Sequence, residues 1–190
     1  MPVAILCGGK GTRLSPLTDH LPKSLVDVCG QPFIVRQLEL LKRHGYTEIV
    51  LLIHHLGRQI MDVIGDGSRF GVDVSYSEDG RHLPHPDQAI WQSSAWWGYE
   101  ACFVLYGDSY LDCNYQKLER AFLVSGCEQL HTMYQKVPYG LRAFRHTPTR
   151  PKIALQVEMK TRYEEIGSFE GLAMVRAIVQ EELCRQWMTK

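Results

Sequence analysis

Short apolar runs alternate along the chain with longer stretches in which apolar residues recur at helical spacing. Four runs have the length and composition of strands buried in a parallel sheet: residues 3–7, 49–53, 72–76 and 102–106. The stretches between them predict helices over 32–44, 56–64 and 88–97. This alternation predicts an α/β protein whose parallel sheet is covered by helices on both faces.

The pattern is less regular after residue 108. The spacing predicts a helix over 115–125 and a final helix over 169–187, which has one apolar stripe. Residues 153–159 alternate between apolar and polar, as in a half-buried strand. Because residues 135–152 contain three prolines and several arginines, we expect that segment to be a loop.

Composition narrows the class of protein. A chain of 190 residues with 45% hydrophobic and 22% charged residues is typical of one globular domain. Its 21 basic and 21 acidic residues cancel, so we expect neither nucleic acid nor a membrane surface as partner. The apolar run at the N-terminus is too short for a signal peptide, which favours a cytoplasmic location. Six scattered cysteines without metal-site spacing predict reduced thiols.

A glycine-rich loop over residues 6–18 follows the first predicted strand, at the sheet edge where α/β folds bind ligands. Three glycines let backbone amides approach a phosphate or a base: Gly8, Gly9 and Gly11. Three basic residues supply positive charge and are expected to be solvated: Lys10, Arg13 and Lys23. The spacing matches neither the P-loop nor the dinucleotide fingerprint. A mobile glycine turn is the alternative.

The loop, Pro22-Lys23-Ser24-Leu25 and Gly30-Gln31-Pro32 together resemble the sugar-phosphate nucleotidyltransferase family. Residues 104–112 and 163–168 are similar to later motifs of its bacterial heptose and mannose 1-phosphate guanylyltransferases. The resemblance implies a Rossmann-like three-layer sandwich with a mostly parallel central sheet. It also implies a single domain over 1–190, in which a nucleotide-binding half (1–128) precedes a shortened sugar-binding half and C-terminal helix (129–190).

The family's activity is the transfer of a nucleoside monophosphate from a nucleoside triphosphate to a sugar 1-phosphate, with release of pyrophosphate. The resemblance favours GTP, a sugar of the heptose or mannose type, and Mg²⁺ as cofactor. It assigns catalysis to Arg13, as the clamp on the β- and γ-phosphates, and to Lys23, as the partner of the α-phosphate or the sugar phosphate. The residues that it assigns to nucleotide binding are Leu6, Gly8, Gly9, Gly11, Thr12 and Arg13.

The resemblance further makes Asp108 and Glu165 the ligands of Mg²⁺. Because Asp108 comes just after a buried strand, its carboxylate is expected in the same cleft as the glycine loop. Carboxylate oxygens are ligands that suit Mg²⁺. The alternative for Asp108 is an ordinary turn residue, because Gly-Asp is common in turns. The residues implied for the sugar are Tyr139, Gly140 and Glu164.

Two departures from the family keep other functions open. His85-Pro86-Asp87-Gln88 stands where relatives have a glycine turn against the nucleotide, and a few tens of residues are missing between Met133 and Tyr139. A catalytically weak or inactive relative that binds a nucleotide or nucleotide sugar as a regulatory module is therefore a second hypothesis. A cytidylyl- or molybdopterin-type transferase is a third.

Two further groups of residues have more than one interpretation. A local basic cluster either meets the sugar phosphate or forms a solvated loop: Arg142, Arg145, His146 and Arg150. The tryptophans of the helix predicted over 88–97 favour core packing or a homodimer interface, because aromatic residues are enriched at both.

Overall fold

The structure of the protein is a computed structural model that describes residues 1–78, 98–145, 154–160 and 163–188. Within these ranges the strands are β1 Val3–Leu6, β2 Asp27–Val28, β3 Gln31–Pro32, β4 Glu48–Ile53, β5 Asp73–Glu78, β6 Ala101–Tyr106, β7 Ser109–Tyr110, β8 Gln129–Tyr134, β9 Val137–Arg145, β10 Ala154–Glu158 and β11 Glu164–Glu165. The helices are α1 Phe33–Arg43, α2 Gly57–Ile64, α3 Tyr115–Ser125 and α4 Phe169–Met188.

Seven strands form one sheet in the order β10-β8-β9-β6-β1-β4-β5. Strand β1 lies inside this sheet and pairs in parallel with β4 on one side and with β6 on the other. Strand β9 runs antiparallel to both of its neighbours, β6 and β8. The sheet is thus mixed but mostly parallel, and the α/β Rossmann-like class expected from the sequence is confirmed.

The alternation of side chains along β1 divides the core between the two faces of the sheet. Val3 and Ile5 pack with apolar residues of α1, α2 and α3. Ala4 and Leu6 point to the opposite face, where they pack with Val104 and other strand residues. The sequence predicted these elements because a buried parallel strand has apolar residues on both faces.

Helix α4 covers a second apolar cluster near the glycine loop. Its residues Leu172, Val175 and Val179 are buried against Leu14 and Phe33, which lie in the loop and at the start of α1. Residues at this spacing lie on one side of a helix, so the predicted apolar stripe of the C-terminal helix is confirmed. The packing also fixes the loop to the body of the protein.

Strand β9 corrects the prediction of a loop over 135–152, which is wrong for residues 137–145. Leu141 and Ala143 are fully buried and alternate with Arg142, as the pleat of a strand requires. Pro138 is tolerated because it lies at the start of the strand, beside a shift in its register with β8. Residues 146–152 lie outside the described ranges.

The remaining predictions on organisation have mixed outcomes. The helix over 115–125 and the strand around 154–158 are confirmed. The helix over 88–97, with its tryptophans, lies outside the described residues. The six cysteines are reduced thiols, as expected, and burial raises the pKa of the Cys102 thiol to about 12. None of the helices in the described part of the chain is both long and apolar enough to cross a membrane.

Candidate functional site

The glycine loop follows β1 and folds tightly around Gly11. The backbone of Gly11 has a φ of +66°, and its carbonyl oxygen accepts hydrogen bonds from Leu14 N and Thr18 Oγ1, each at 2.8 Å. A Cβ at this position would lie 3.0 Å from the Cβ of Lys23. Glycine is therefore needed here both for the backbone conformation and for the close approach of Lys23.

The loop holds Arg13 at the surface of the site. Thr12–Leu14 form a short helical turn in which the Leu14 side chain is buried while Thr12 and Arg13 are exposed. Because the Leu14 side chain is buried, the side chain of Arg13 beside it points outward. The sequence-based expectation that Arg13 is solvated is therefore confirmed. Gly9 is also exposed, and the position of its absent Cβ has no atom within 4 Å, so a ligand can approach its backbone.

Asp108 is placed beside this loop by the close contact between the ends of β1 and β6. Leu6 and Tyr106 are paired in register, and Gly107 N donates a hydrogen bond of 2.9 Å to Leu6 O. Any Cβ at Gly107 would collide with that carbonyl oxygen. Glycine therefore lets the chain turn at the carboxyl edge of the sheet, and Asp108 follows the turn there.

Lys23 and Asp108 meet directly at this edge. Lys23 Nζ lies 2.5 Å from Asp108 Oδ2, and the side chains are 18% and 15% exposed, respectively. The expected proximity of Asp108 to the glycine loop is thus present. The expectation of a solvated Lys23 is wrong, because the Pro22–Leu25 turn lays its side chain across Gly11 and against this carboxylate.

The short strand β11 brings a second carboxylate and a glycine to the same edge. Glu165 is paired with Ser109 of β7, and Ile166 N donates a hydrogen bond of 2.8 Å to Asp108 O. A Cβ at Gly167 would lie 2.7 Å from Arg13 Nη2 and 3.7 Å from Asp108 Oδ2. The C-terminal motif is therefore in contact with the loop cation and near the carboxylate of the first half.

A cavity of about 280 Å³ opens beside Asp108. Asp108 and Glu165 line it together with Tyr139 and Gly140, so the implied metal ligands and two of the implied sugar residues share one cavity. Glu164 is paired with Tyr110 and is not among the described residues that line this space. As the neighbour of Glu165 in a strand, it points to the opposite face.

Tyr163 was missed by the sequence analysis and organises one wall of the cavity. Its hydroxyl donates a hydrogen bond of 2.6 Å to Glu165 Oε1, and its ring centroid lies 3.6 Å from that of Tyr139. Burial, and then the Glu165 carboxylate, hold the pKa of Tyr163 far above its usual value, so the hydroxyl stays a donor. The available signal was a tyrosine two positions before a carboxylate, because side chains two apart in an extended chain point to the same side.

Two arginines of the basic cluster predicted over residues 142–150 have different environments in the structure. Arg142 lines the cavity, and its guanidinium carbon lies 5.9 Å from the centroid of the Tyr106 ring. Arg145 instead donates hydrogen bonds to Cys127 O (3.2 Å) and Leu123 O (3.0 Å) at the end of α3. One arginine thus belongs to the site and the other to the scaffold. His146 and Arg150 lie outside the described residues.

The carboxylates of Asp108 and Glu165 suit Mg²⁺ only if a bound substrate supplies further oxygen ligands. Asp108 and Glu165 line one cavity, and the described residues contain no group of three or more acidic, histidine or cysteine side chains able to hold a metal. Proteins often bind Mg²⁺ through one or two carboxylates, with substrate phosphates and waters as the other ligands. The donor set therefore fits a metal that arrives with a polyphosphate. The departure at residues 85–88 lies outside the described ranges.

Comparisons with known proteins found relatives of part of this chain. The N-acetylmuramate alpha-1-phosphate uridylyltransferase of Neisseria meningitidis serogroup B is 41% identical over 115 residues, which are 60% of this chain and 50% of that protein. A glucose-1-phosphate thymidylyltransferase of Streptomyces antibioticus is 30% identical over 122 residues, 64% of this chain and 34% of that protein. The chain thus spans half or less of the length of these relatives.

Solved structures show the same fold. HddC from Yersinia pseudotuberculosis superposes with a TM-score of 0.80 at 18% identity, covering 94% of this chain and 99% of that one. Its complex with GMP-PN superposes with a TM-score of 0.74. The family model described as "Nucleotidyl transferase" matches residues 3–137, which include the glycine loop, Lys23 and Asp108. The chain therefore belongs to the nucleotidyl transferase family.

Proposed function

We propose that this protein transfers a nucleoside monophosphate from a nucleoside triphosphate to a sugar 1-phosphate and releases pyrophosphate. The observation that carries the proposal is the meeting of Arg13, Lys23 and Asp108 at one sheet edge, beside a cavity of about 280 Å³. Cations and a carboxylate at that edge suit a polyphosphate, and the cavity has the size of a small-molecule site.

The chemistry needs positioning and charge neutralisation rather than a strong base. A sugar 1-phosphate is already anionic at neutral pH, so its oxygen forms the new bond to the α-phosphorus while the bond to the β-phosphate oxygen breaks. No proton has to be removed from the nucleophile. Pyrophosphate leaves with the electron pair of the broken bond, and Arg13, exposed beside Gly167, is placed to bind it.

Asp108 and Glu165 are the residues that would hold Mg²⁺. When bound, the ion neutralises charge on the reacting phosphates. Lys23 now neutralises Asp108 at 2.5 Å, so its ammonium is already within reach of any phosphate oxygen that enters beside that carboxylate. Tyr163 keeps Glu165 Oε1 in place through its hydrogen bond and leaves the other oxygen of that carboxylate for a ligand.

The base and the sugar are proposed more narrowly from resemblance. GTP with a heptose or mannose 1-phosphate is the pair that the sequence motifs favour. The relative from Neisseria meningitidis is named as a uridylyltransferase for N-acetylmuramate 1-phosphate, and the relative from Streptomyces antibioticus as a thymidylyltransferase for glucose 1-phosphate. These pairs are the alternatives against which the first is to be tested. A homodimer stays a prediction.

The test is a screen for pyrophosphate release with four nucleoside triphosphates and a set of sugar 1-phosphates, in the presence of Mg²⁺. We expect product from at least one pair and a loss of about a hundredfold or more with Arg13→Ala, purified in the same way. That variant excludes a contaminating enzyme. If folded protein binds a triphosphate but yields no product with any acceptor, the proposal is wrong and the regulatory binding module takes its place.

A further inference from the structure

The cavity beside Asp108 contains a permanent positive charge that the proposed reaction does not use. Arg142 lines the same space as Asp108 and Glu165. Its guanidinium is planar and carries several N–H donors, so it brings a directional cation into the cavity. The proposed phosphate contacts are made by Arg13, which lies beside Gly167, and by Lys23, which pairs with Asp108.

The pairing of β9 with β6 and β8 positions the backbone of Arg142 in the sheet. Arg142 is opposite Val104 of β6 and opposite His131 of β8, and its guanidinium extends over the ring of Tyr106. Because a strand rises about 3.3 Å per residue, the Cα of Arg142 lies roughly 7 Å below the end of β6. Asp108 follows beyond that end. The long side chain of Arg142 spans this offset to reach the ring of Tyr106, so its guanidinium enters the cavity from β9, whereas Arg13 and Lys23 belong to the first half of the chain.

The backbone that carries Arg142 is rigid. Strand β9 is hydrogen-bonded on both sides, to β6 and to β8, and the neighbours Leu141 and Ala143 are fully buried. A planar guanidinium on a fixed strand suits bidentate binding of a carboxylate. Sites built on strands also hold their geometry better than sites on loops. These are the properties of a specificity-determining residue.

Resting on the proposed function, we propose that Arg142 binds a carboxylate on the sugar ring of the acceptor, so that the preferred substrate is an acidic sugar 1-phosphate. The acceptor then spans the cavity, with its phosphate at Asp108 and its second anion at Arg142. This assignment departs from the neutral heptose or mannose that the sequence motifs imply. It also gives the arginine-containing segment, expected from the sequence to be a loop, a defined part in substrate choice.

The experiment compares acceptors that differ by one carboxylate. The matched pairs are glucuronic acid 1-phosphate with glucose 1-phosphate, and N-acetylmuramate 1-phosphate with N-acetylglucosamine 1-phosphate. We expect the wild-type protein to prefer the acidic member of at least one pair in kcat/KM. Arg142→Gln should reduce kcat/KM for the acidic acceptor by about tenfold to a hundredfold and change the neutral one by less than about threefold.

Two further variants control this result. Arg142→Lys keeps the charge but loses the planar fork, so we expect a smaller but measurable loss for the acidic acceptor. Arg120→Gln removes an exposed arginine on α3 and should leave both acceptors unchanged. Equal losses for both members of a pair with Arg142→Gln would show contact with the shared phosphate and overturn the carboxylate assignment. So would a wild-type protein that does not discriminate within any pair.

Direct binding separates this inference from the proposed reaction. Calorimetric titration of each sugar phosphate into protein containing Mg²⁺ needs no turnover. If no pair of substrates reacts but the acidic member binds more tightly in a manner lost with Arg142→Gln, the proposed function fails while the acidic site stands. If the acidic member binds equally to wild type and Arg142→Gln, the site assignment is overturned whatever the activity.

Discussion

Lys23 and Asp108, 85 residues apart in the chain, form an ion pair of 2.5 Å between Nζ and Oδ2 at the carboxyl edge of the sheet. Both side chains are mostly shielded from water, at 18% and 15% exposure. A partly buried pair loses more when one partner is removed than when both are replaced, because a single remaining charge is left without compensation. The contributions of the two side chains to the free energy of unfolding therefore depend on each other.

A double-mutant cycle tests this coupling. We expect Lys23→Met and Asp108→Asn each to reduce the free energy of unfolding by about 1 to 2 kcal/mol, and the double variant to lose about 1 kcal/mol less than the sum. Urea denaturation measures the three values. Lys10→Met changes an exposed lysine of the glycine loop and should cost almost nothing. Additive losses would show that the two side chains do not depend on each other.

The role proposed for Asp108 as a metal ligand predicts a change in the magnesium requirement. Asp108→Asn keeps the shape of the side chain but removes a hard anionic ligand. We expect the Mg²⁺ concentration for half-maximal pyrophosphate release to rise about tenfold or more, together with a lower maximal rate. Asp112→Asn is the matched control, because Asp112 is 54% exposed and bonds His44. An unchanged titration with Asp108→Asn would remove this residue from the metal site.

Much of the first half of the fold followed from the sequence for a simple physical reason. Strands β1, β4 and β6 are buried on both faces, so they appear as continuous apolar runs that stand out from polar loops. Parallel strands end at one edge of a sheet, so the sequence alone predicts that Asp108 lies beside the glycine loop. The ion pair with Lys23 could not be predicted, because the sequence does not tell which charges at that edge come into contact.

The second half of the fold was harder to predict, because the turn between β8 and β9 lacks the residues that usually mark a hairpin. The β8–β9 hairpin closes on Gln135 and Lys136, whose φ angles are +50° and +65°. Two-residue hairpin turns with positive φ favour asparagine and glycine, and neither is present here. Prolines and arginines in the following segment then favoured a loop. As a consequence, the position of Arg142 inside the sheet, and hence in the cavity, was hidden.

That hairpin turn predicts a stabilising substitution. Non-glycine residues at positive φ are strained, so replacing Gln135-Lys136 with Asn-Gly should raise the free energy of unfolding by up to about 1 kcal/mol. The denaturation midpoint should increase without a change in its slope. Gln135→Ala is the control, because it removes a side chain without relieving the backbone, and it should not stabilise. A loss of stability with Asn-Gly would contradict the hairpin.

A hydrogen bond between α3 and the segment after α1 makes stability depend on pH. Tyr46 OH donates to Glu119 Oε2 at 2.6 Å. Burial raises the pKa of Glu119, but hydrogen bonds from Tyr46 and the Met1 ammonium outweigh it, so the pKa lies below its ordinary value. A carboxylate with a lowered folded-state pKa stabilises the protein above its unfolded pKa, and this contribution is lost as the pH falls through the folded-state value.

Tyr46→Phe removes that hydrogen bond while keeping the buried ring. We expect a loss of about 1 kcal/mol in unfolding free energy near neutral pH, since the carboxylate is partly exposed. The difference from wild type should shrink below about pH 4.5, where Glu119 is protonated in the unfolded chain and then in the folded one. Denaturant melts at several pH values measure it. A difference that is independent of pH would assign the loss to packing instead.

Gly167 gives the sharpest test of how the two halves of the site fit together. A Cβ at this position would lie 2.7 Å from Arg13 Nη2, which is the flexible end of an exposed side chain. Gly167→Ala should therefore displace the guanidinium rather than the backbone, so the free energy of unfolding should change by less than about 1 kcal/mol. Because the displaced cation would no longer meet the pyrophosphate of the proposed reaction, we expect the rate to fall by about tenfold or more.

The effect of Gly167→Ala must act through Arg13 if this geometry is correct. In the Arg13→Ala background the contact no longer exists, so adding Gly167→Ala should lower the residual rate of pyrophosphate release by less than about twofold. Single-turnover rates of the four proteins complete the cycle, and denaturant melts confirm that each is folded. If Gly167→Ala costs as much in the absence of the Arg13 side chain as in its presence, the glycine is required by another group, and the contact between the C-terminal motif and the glycine loop does not control catalysis.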